Sequence, residues 1–229
     1  MSLEGKSRGR HFKISHGPRP DSSRTPIKKK TFRAQEQLSV QNQLKRQEYL
    51  SKIQSISPER LVFLDEAGFN LAMTRERARS KRGERAYSHK PARRGGNISL
   101  VGAVRLSGAS VLYPYDGAVN SEHFLSFLEH HLIPSLQIGD TVVMDNLRVH
   151  HIQPVREMFG NAGIGLLYLP PYSPELNPIE EAWSCIKAVF RKLEARTIEA
   201  FVEVLRIAKE TVTKVKLEGW FRHAGYVHS

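Results

Sequence analysis

TVVMDNLRVHHIQPVREMFGNAGIGLLYLPPYSPELNPIEEAW, residues 141–183, alternates two kinds of element and so decides the fold class. Thr141–Asp145 is a short apolar run of buried-strand length, and Ile152–Phe159 reads as a short helix. Gly165–Leu169 is a second apolar run, stopped by Pro170-Pro171, because proline lacks an N–H and fixes φ. From Ile179 to about Leu193, the residues Ile179, Ala182, Trp183, Ile186, Phe190 and Leu193 recur at helical spacing. Strand, helix, strand, helix is the alternation of an α/β protein.

The flanking sequence extends that pattern. Leu61–Asp65 reads as the first strand, and Ile98–Val104 and Ser110–Tyr115 as two more, joined by a turn at Leu106-Ser107-Gly108. Asn120–Ile133 is a helix with Phe124, Leu125, Phe127, Leu128, Leu132 and Ile133 as its apolar face, stopped by Pro134. A last helix is expected over Thr197–Val215, carrying Phe201, Val204, Leu205, Ala208 and Val212. Upstream, residues 34–54 are helical in composition, with Leu38, Tyr49, Leu50 and Ile53 on one side and Val40 and Leu44 off it. Residues 1–33 lack apolar periodicity and read as disordered or extended. The strands number five in total. The expected organisation is a basic N-terminal segment over 1–57 and an α/β domain over 58–229.

Charge points to a polyanion. Of the net +12, residues 1–57 carry +9 and residues 74–94 carry +7, so the remaining body is mildly acidic. Such basic segments suit DNA or RNA. Lys28, Lys29 and Lys30 in the first segment and Arg75, Arg77, Arg79, Lys81 and Arg82 in the second are the candidate DNA-binding residues. The preference for Arg over Lys in the second favours phosphate contact. No apolar stretch approaches a membrane span, no secretory h-region opens the chain, and the single Cys185 excludes an internal disulfide and a cysteine-based zinc site. Cys185 reads as a small helix or core residue, and a reducing, cytoplasmic setting fits.

Three carboxylates stand out. Asp65 and Asp145 each close an apolar run, and Glu180 sits in the first turn of the helix after Pro170-Pro171. In open α/β sheets chemistry gathers where strands end. Two aspartates and a glutamate can hold two divalent cations against a phosphodiester. Asn177 is placed to cap that helix and Pro178 to occupy its first position. Glu181 competes with Glu180, since both fall off the apolar stripe on opposite sides, and periodicity does not choose. Asn146 is placed to orient Asp145, contact phosphate or cap the next turn. His150 and His151 read as DNA contacts or surface residues, not metal ligands. Trp183 reads as a core anchor.

With LVFLDEAGF (61–69), VVMDNLRVHH (142–151) and YLPPYSPELNPIEEAW (168–183), together with RGERAY (82–87) and FRHAGY (221–226), the chain resembles transposases of the mariner-like superfamily, in its bacterial insertion-sequence branch. The likeness covers about residues 26–226, and the 34 residues between Asp145 and Glu180 match the spacing of that superfamily's acidic triad. It implies a ribonuclease-H-like fold, a mixed five-stranded sheet flanked by helices. It implies that the catalytic and metal-binding residues are Asp65, Asp145 and Glu180, the Glu of the Asn-Pro-Ile-Glu run. Two Mg²⁺ or Mn²⁺ ions would be shared, one by Asp65 and Asp145 and the other by Asp65 and Glu180, for cleavage and strand transfer in DNA transposition. DNA, as transposon ends and target, and a second copy of the chain in a homodimer are the implied partners, and a nucleoid-associated cytoplasmic location follows.

Relatives carry two helix-turn-helix modules upstream of the catalytic core, and no such pattern stands among the 64 residues before Asp65. The sequence-level expectation is therefore a catalytic domain whose DNA-reading half is encoded separately or lost. An inactive DNA-binding remnant and a ribonuclease-H-like nuclease are the alternatives.

Overall fold

The computed structural model describes residues 35–92 and 95–227. The expected extended segment over residues 1–33, with Lys28, Lys29 and Lys30, lies outside the described residues. The described chain from Gln35 onward forms one compact unit.

Five strands make one mixed sheet: β1 (Leu61–Asn70), β2 (Asn97–Arg105), β3 (Gly108–Asp116), β4 (Thr141–Met144) and β5 (Gly165–Tyr168). Their spatial order is β3-β2-β1-β4-β5. β1, β2 and β3 pair antiparallel, whereas β1–β4 and β4–β5 are parallel. Among the described residues six α-helices flank it: α1 (Val40–Ile53), α2 (Ser121–Phe127), α3 (Gln153–Asn161), α4 (Ile179–Leu193), α5 (Ile198–Glu210) and α6 (Lys214–His223).

Alternation along the strands builds two cores. Leu61 and Phe63 face α1, α4, α5 and α6 with Tyr49, Trp183, Phe190, Phe201, Phe221 and Tyr226. Val62 and Leu64 face α2 and α3 with Phe124, Phe127, Val155 and Phe159. Because side chains along a strand alternate sides, Asp65 falls on the α4 face and Glu66 on the α2 face. Both cores are predominantly apolar, so each face of the central strands is buried, as the uninterrupted apolar runs require.

Several expectations need correction. β1 is ten residues long, so Asp65 lies within a strand and does not end it. The expected long C-terminal helix is two helices: α5 stops at Glu210, and Thr213 caps α6 by accepting from the Lys216 N–H. Val212, which completes the apolar stripe of α5, is buried between them in the break. Leu38 and Leu193 are exposed although both were assigned to apolar faces. The helix after Asn120 gives way to a π turn at Leu128–Leu132 and a tight turn at Ile133–Ser135 that contains Pro134. Asn177 does not cap α4, whose first turn follows Pro178 without a side-chain cap.

Candidate active site

The strand register sets the site. β1 and β4 pair at Leu61–Thr141, Val62–Val142 and Phe63–Val143. Two residues further, the same register sets Asp65 alongside Asp145. β4 ends at Met144, while β1 continues to Asn70 beside β2 alone. The sheet therefore opens on one side of β1 at the level of Asp65, and the cleft lies in that opening. Asp65, Asp145 and Glu180 all line it, with Asn146, Pro170 to Pro174 and Asn177, around a volume of about 280 Å³.

Each carboxylate is held differently. Asp65 is 9% exposed, and Trp183 Nε1–H donates to its Oδ2 at 3.2 Å. Burial, with added repulsion from Glu180 and Asp145, pushes its carboxyl up to about 7. Asp145 follows β4 directly, and its Oδ1 accepts from the Leu147 N–H at 3.0 Å and faces His150 Nδ1 at 2.8 Å. Burial opposes ionisation of Asp145, but the His150 and Leu147 donors outweigh it and hold the carboxyl below its ordinary value. Glu180 sits in the first turn of α4, its N–H donating to Asn177 O. Partial burial raises its carboxyl, Lys187 offsets that, and Glu181 and Asp145 add repulsion.

The donor set suits a hard divalent cation. The oxygens it offers are carboxylates that repel one another, and both donors on Asp145 go to Oδ1, which leaves Oδ2 open. Asn177 adds a buried Oδ1 without a hydrogen-bond partner at the cleft wall. As they stand, no three His, Cys, Asp or Glu side chains among the described residues are gathered closely enough to cage an ion. The carboxylates share one cleft at wider separation.

Gly102 explains how Trp183 reaches Asp65. It lies opposite Asp65 in the β1–β2 ladder, and a Cβ there would sit 2.7 Å from the Trp183 ring and 2.5 Å from Leu112. Only glycine leaves this space. Trp183 is thus the expected core anchor and, in addition, a donor to the site, a role its helical periodicity did not signal.

The loop leading into Glu180 is tied down from both ends of the described chain. Tyr49 of α1 and Tyr226 share a buried hydroxyl contact at 2.8 Å, and the Tyr226 hydroxyl donates to Leu176 O. Arg46 donates to Ser173 Oγ and to Glu175, which also accepts from Gln37. Tyr172, in the same loop, holds φ of 57° with its ring exposed at the cleft mouth.

His150 is the main departure from expectation. It is fully buried rather than on the surface, against Phe124 at 4.6 Å between rings. A neighbouring pair of histidines after an apolar run gave no sign of which one turns inward. His151 is the outer one, stacked on Tyr168 at 4.0 Å with its Nε2 3.2 Å from Asn146 Oδ1. Asn146 donates from Nδ2 to Leu169 O, tying the exit of β4 to the exit of β5. Arg75, Arg77, Arg79, Lys81 and Arg82 are exposed on the irregular connection from β1 to β2 and do not line the cleft. Cys185 is a partly buried free thiol beside Thr211.

Comparison with known proteins bears on the family and the fold. Residues 60–202 match the family model described as DDE superfamily endonuclease. No curated protein matches the sequence. Among solved structures, the pre-cleavage Mos1 transpososome superposes with a TM-score of 0.68 at 16% identity, covering 89% of this chain and 68% of that one. The Mos1 mariner paired-end complex with Mn gives 0.66 at 18% identity, covering 87% and 63%. The catalytic domain of Mos1 mariner transposase gives 0.61 at 15%, covering 82% and 88%. At these identities the likeness is one of fold, that of a ribonuclease-H-like sheet flanked by helices.

Proposed function

The chain belongs to the DDE superfamily endonucleases, and on that premise we propose that it is the cutting and joining part of a DNA transposase. Asp65, Asp145 and Glu180 are the catalytic carboxylates in this reading, and the observation that carries it is their common lining of one cleft. They would hold two Mg²⁺ or Mn²⁺ ions, as the Mn and Mg complexes of the Mos1 fold relatives suggest. Two such ions activate water or a DNA 3′-hydroxyl and stabilise the leaving oxygen. The protein's own part is to fix the carboxylates: Trp183 holds Asp65, the backbone of Leu147 holds Asp145, and α4 carries Glu180.

DNA is the partner in this proposal, with transposon ends and target as its two forms. Exposed Arg75, Arg77, Arg79, Lys81 and Arg82 would meet phosphates along the approach. A homodimer would pair two ends. Among the described residues no helix is long and apolar enough to cross a membrane, which is compatible with action on chromosomal DNA in the cytoplasm.

The test uses supercoiled plasmid bearing the parent element's ends with Mg²⁺ or Mn²⁺, comparing the chain with Glu180→Gln and Asp145→Ala. Cleavage and joined products should appear with the native chain and fall at least ~100-fold in each variant. Activity that survives either substitution would refute the assignment. Cleavage without joining would instead favour a ribonuclease-H-like nuclease.

A further inference from the structure

Beyond the three carboxylates, one buried constellation is unused by the reading above. His150 stands between two acidic side chains, with Nδ1 2.8 Å from Asp145 Oδ1 and Nε2 3.9 Å from Glu66 Oε1. Glu66 neighbours Asp65 on β1 but projects to the opposite face of the sheet, where Phe124 and His150 pack. His150 Nε2 and Glu66 Oε1 are both buried and have no hydrogen-bond partner. At 3.9 Å the two face each other as an ion-pair contact beyond hydrogen-bond range.

We propose that His150 is a positioning residue that locks Asp145 Oδ1 and presents Oδ2 to the cation. The proposal rests on the metal-dependent reading of the cleft. An ionised carboxylate only accepts, so Nδ1–H is the donor and Nε2 is left for Glu66. The Leu147 N–H bonds the same Oδ1, so the carboxylate has one orientation, and the oxygen left over is the one available as a ligand. Phe124 lies against the imidazole ring and limits its rotation. A partner that orients a ligating carboxylate from behind is a recurring feature of metal sites, and its loss typically weakens metal affinity about 10–100-fold.

Two substitutions separate positioning from packing. His150→Asn places an amide nitrogen near the position of Nδ1, so it keeps the bond to Asp145 and loses Glu66. His150→Gln places its amide near Nε2 and does the reverse. Mn²⁺ binding to the full chain, read by titration calorimetry without DNA, should stay within ~3-fold of the native value in His150→Asn and weaken ~10-fold or more in His150→Gln. Thermal unfolding without metal should be similar for the two. Equal Mn²⁺ affinity in both variants, whether retained or lost, would overturn the positioning role. Asp145→Asn is measured alongside: native Mn²⁺ affinity there would overturn the metal reading itself, whereas weakened binding there with no Asn/Gln difference would overturn the role of His150 alone.

Discussion

Gly102→Ala is the most searching single perturbation of the site. The added Cβ would stand 2.5 Å from Leu112 Cδ2 and 2.7 Å from Trp183 Cη2, both well inside contact distance. Replacing a strand glycine removes some freedom from the unfolded chain and by itself gains about 0.5–1 kcal/mol. Overpacking a core costs about 1–3 kcal/mol; Leu112 Cδ2 ends a flexible, partly buried side chain that can turn aside, whereas Trp183 is 3% exposed and confined by its packing. The cost wins, and a net loss of roughly 1–2 kcal/mol is expected, which for a domain of this size lowers Tm by roughly 2–8 °C. The ring must shift from Gly102, and its Nε1–H then leaves Asp65 Oδ2. Cleavage should therefore fall ~10-fold or more, the effect of losing a partner that orients a metal-site carboxylate. Urea unfolding and the cleavage assay would be run together, with Trp183 fluorescence read in a Trp220→Phe background. Unchanged stability, emission and cleavage in Gly102→Ala would refute the claim that the missing side chain makes room for the tryptophan.

Other expectations follow from the same geometry. Asp65 titrates near pH 7 in the folded, metal-free protein against an ordinary value of 3.8, so its contribution to stability is full below pH 3.8 and is lost as pH rises through 7. At about 1.4 kcal/mol per pH unit the whole shift is worth about 4 kcal/mol; metal-free Asp65→Asn should therefore be more stable than the native chain at pH 8.5, with the advantage shrinking toward pH 4, and urea titrations giving the reverse trend would refute it. Tyr226→Phe strands Leu176 O and the Tyr49 hydroxyl, at a cost of about 1–3 kcal/mol; the double variant with Tyr49→Phe should cost less than the sum of the singles in denaturant unfolding. Replacing Arg75, Arg77, Arg79 and Arg82 by Gln should weaken non-specific DNA binding at low salt and reduce the slope of log affinity against log salt by ~0.9 for each phosphate contact removed; an unchanged slope would remove this segment from the DNA path.

The parts legible in the sequence were those with a period or a punctuation mark. α4 was expected over Ile179–Leu193 and occupies that span, because its apolar stripe and the preceding prolines act locally. The five strands were expected for the same reason, although β1 was cut short at Asp65. A charged pair, Asp65-Glu66, looks like a strand end, and the reason it is not lies elsewhere in the chain: β4 stops early and opens a cleft for one side chain, while His150 meets the other. The break between α5 and α6 was hidden because Val212 continues the stripe while the backbone turns beneath it. Gly102 carries no local signal, since its meaning depends on a tryptophan 81 positions later. Asp65, Asp145 and Glu180 stand out in the sequence as candidates and share one cleft, whereas the residues that hold them do not stand out, because support comes from tertiary neighbours.

The hydroxyl pair that fastens the Glu180 loop joins residue 49 to residue 226, a separation of 177 positions. During synthesis, at about 5–20 residues per second, the sheet and α4 emerge well before α6 and Tyr226 have left the ribosome. Until then Leu176 lacks its anchor, and a half-made chain has its acidic residues without the frame that sets them. Any enzyme able to cut the genome that encodes it would benefit from such an order, in which the means to damage DNA matures only once α6 and Tyr226 have joined the fold.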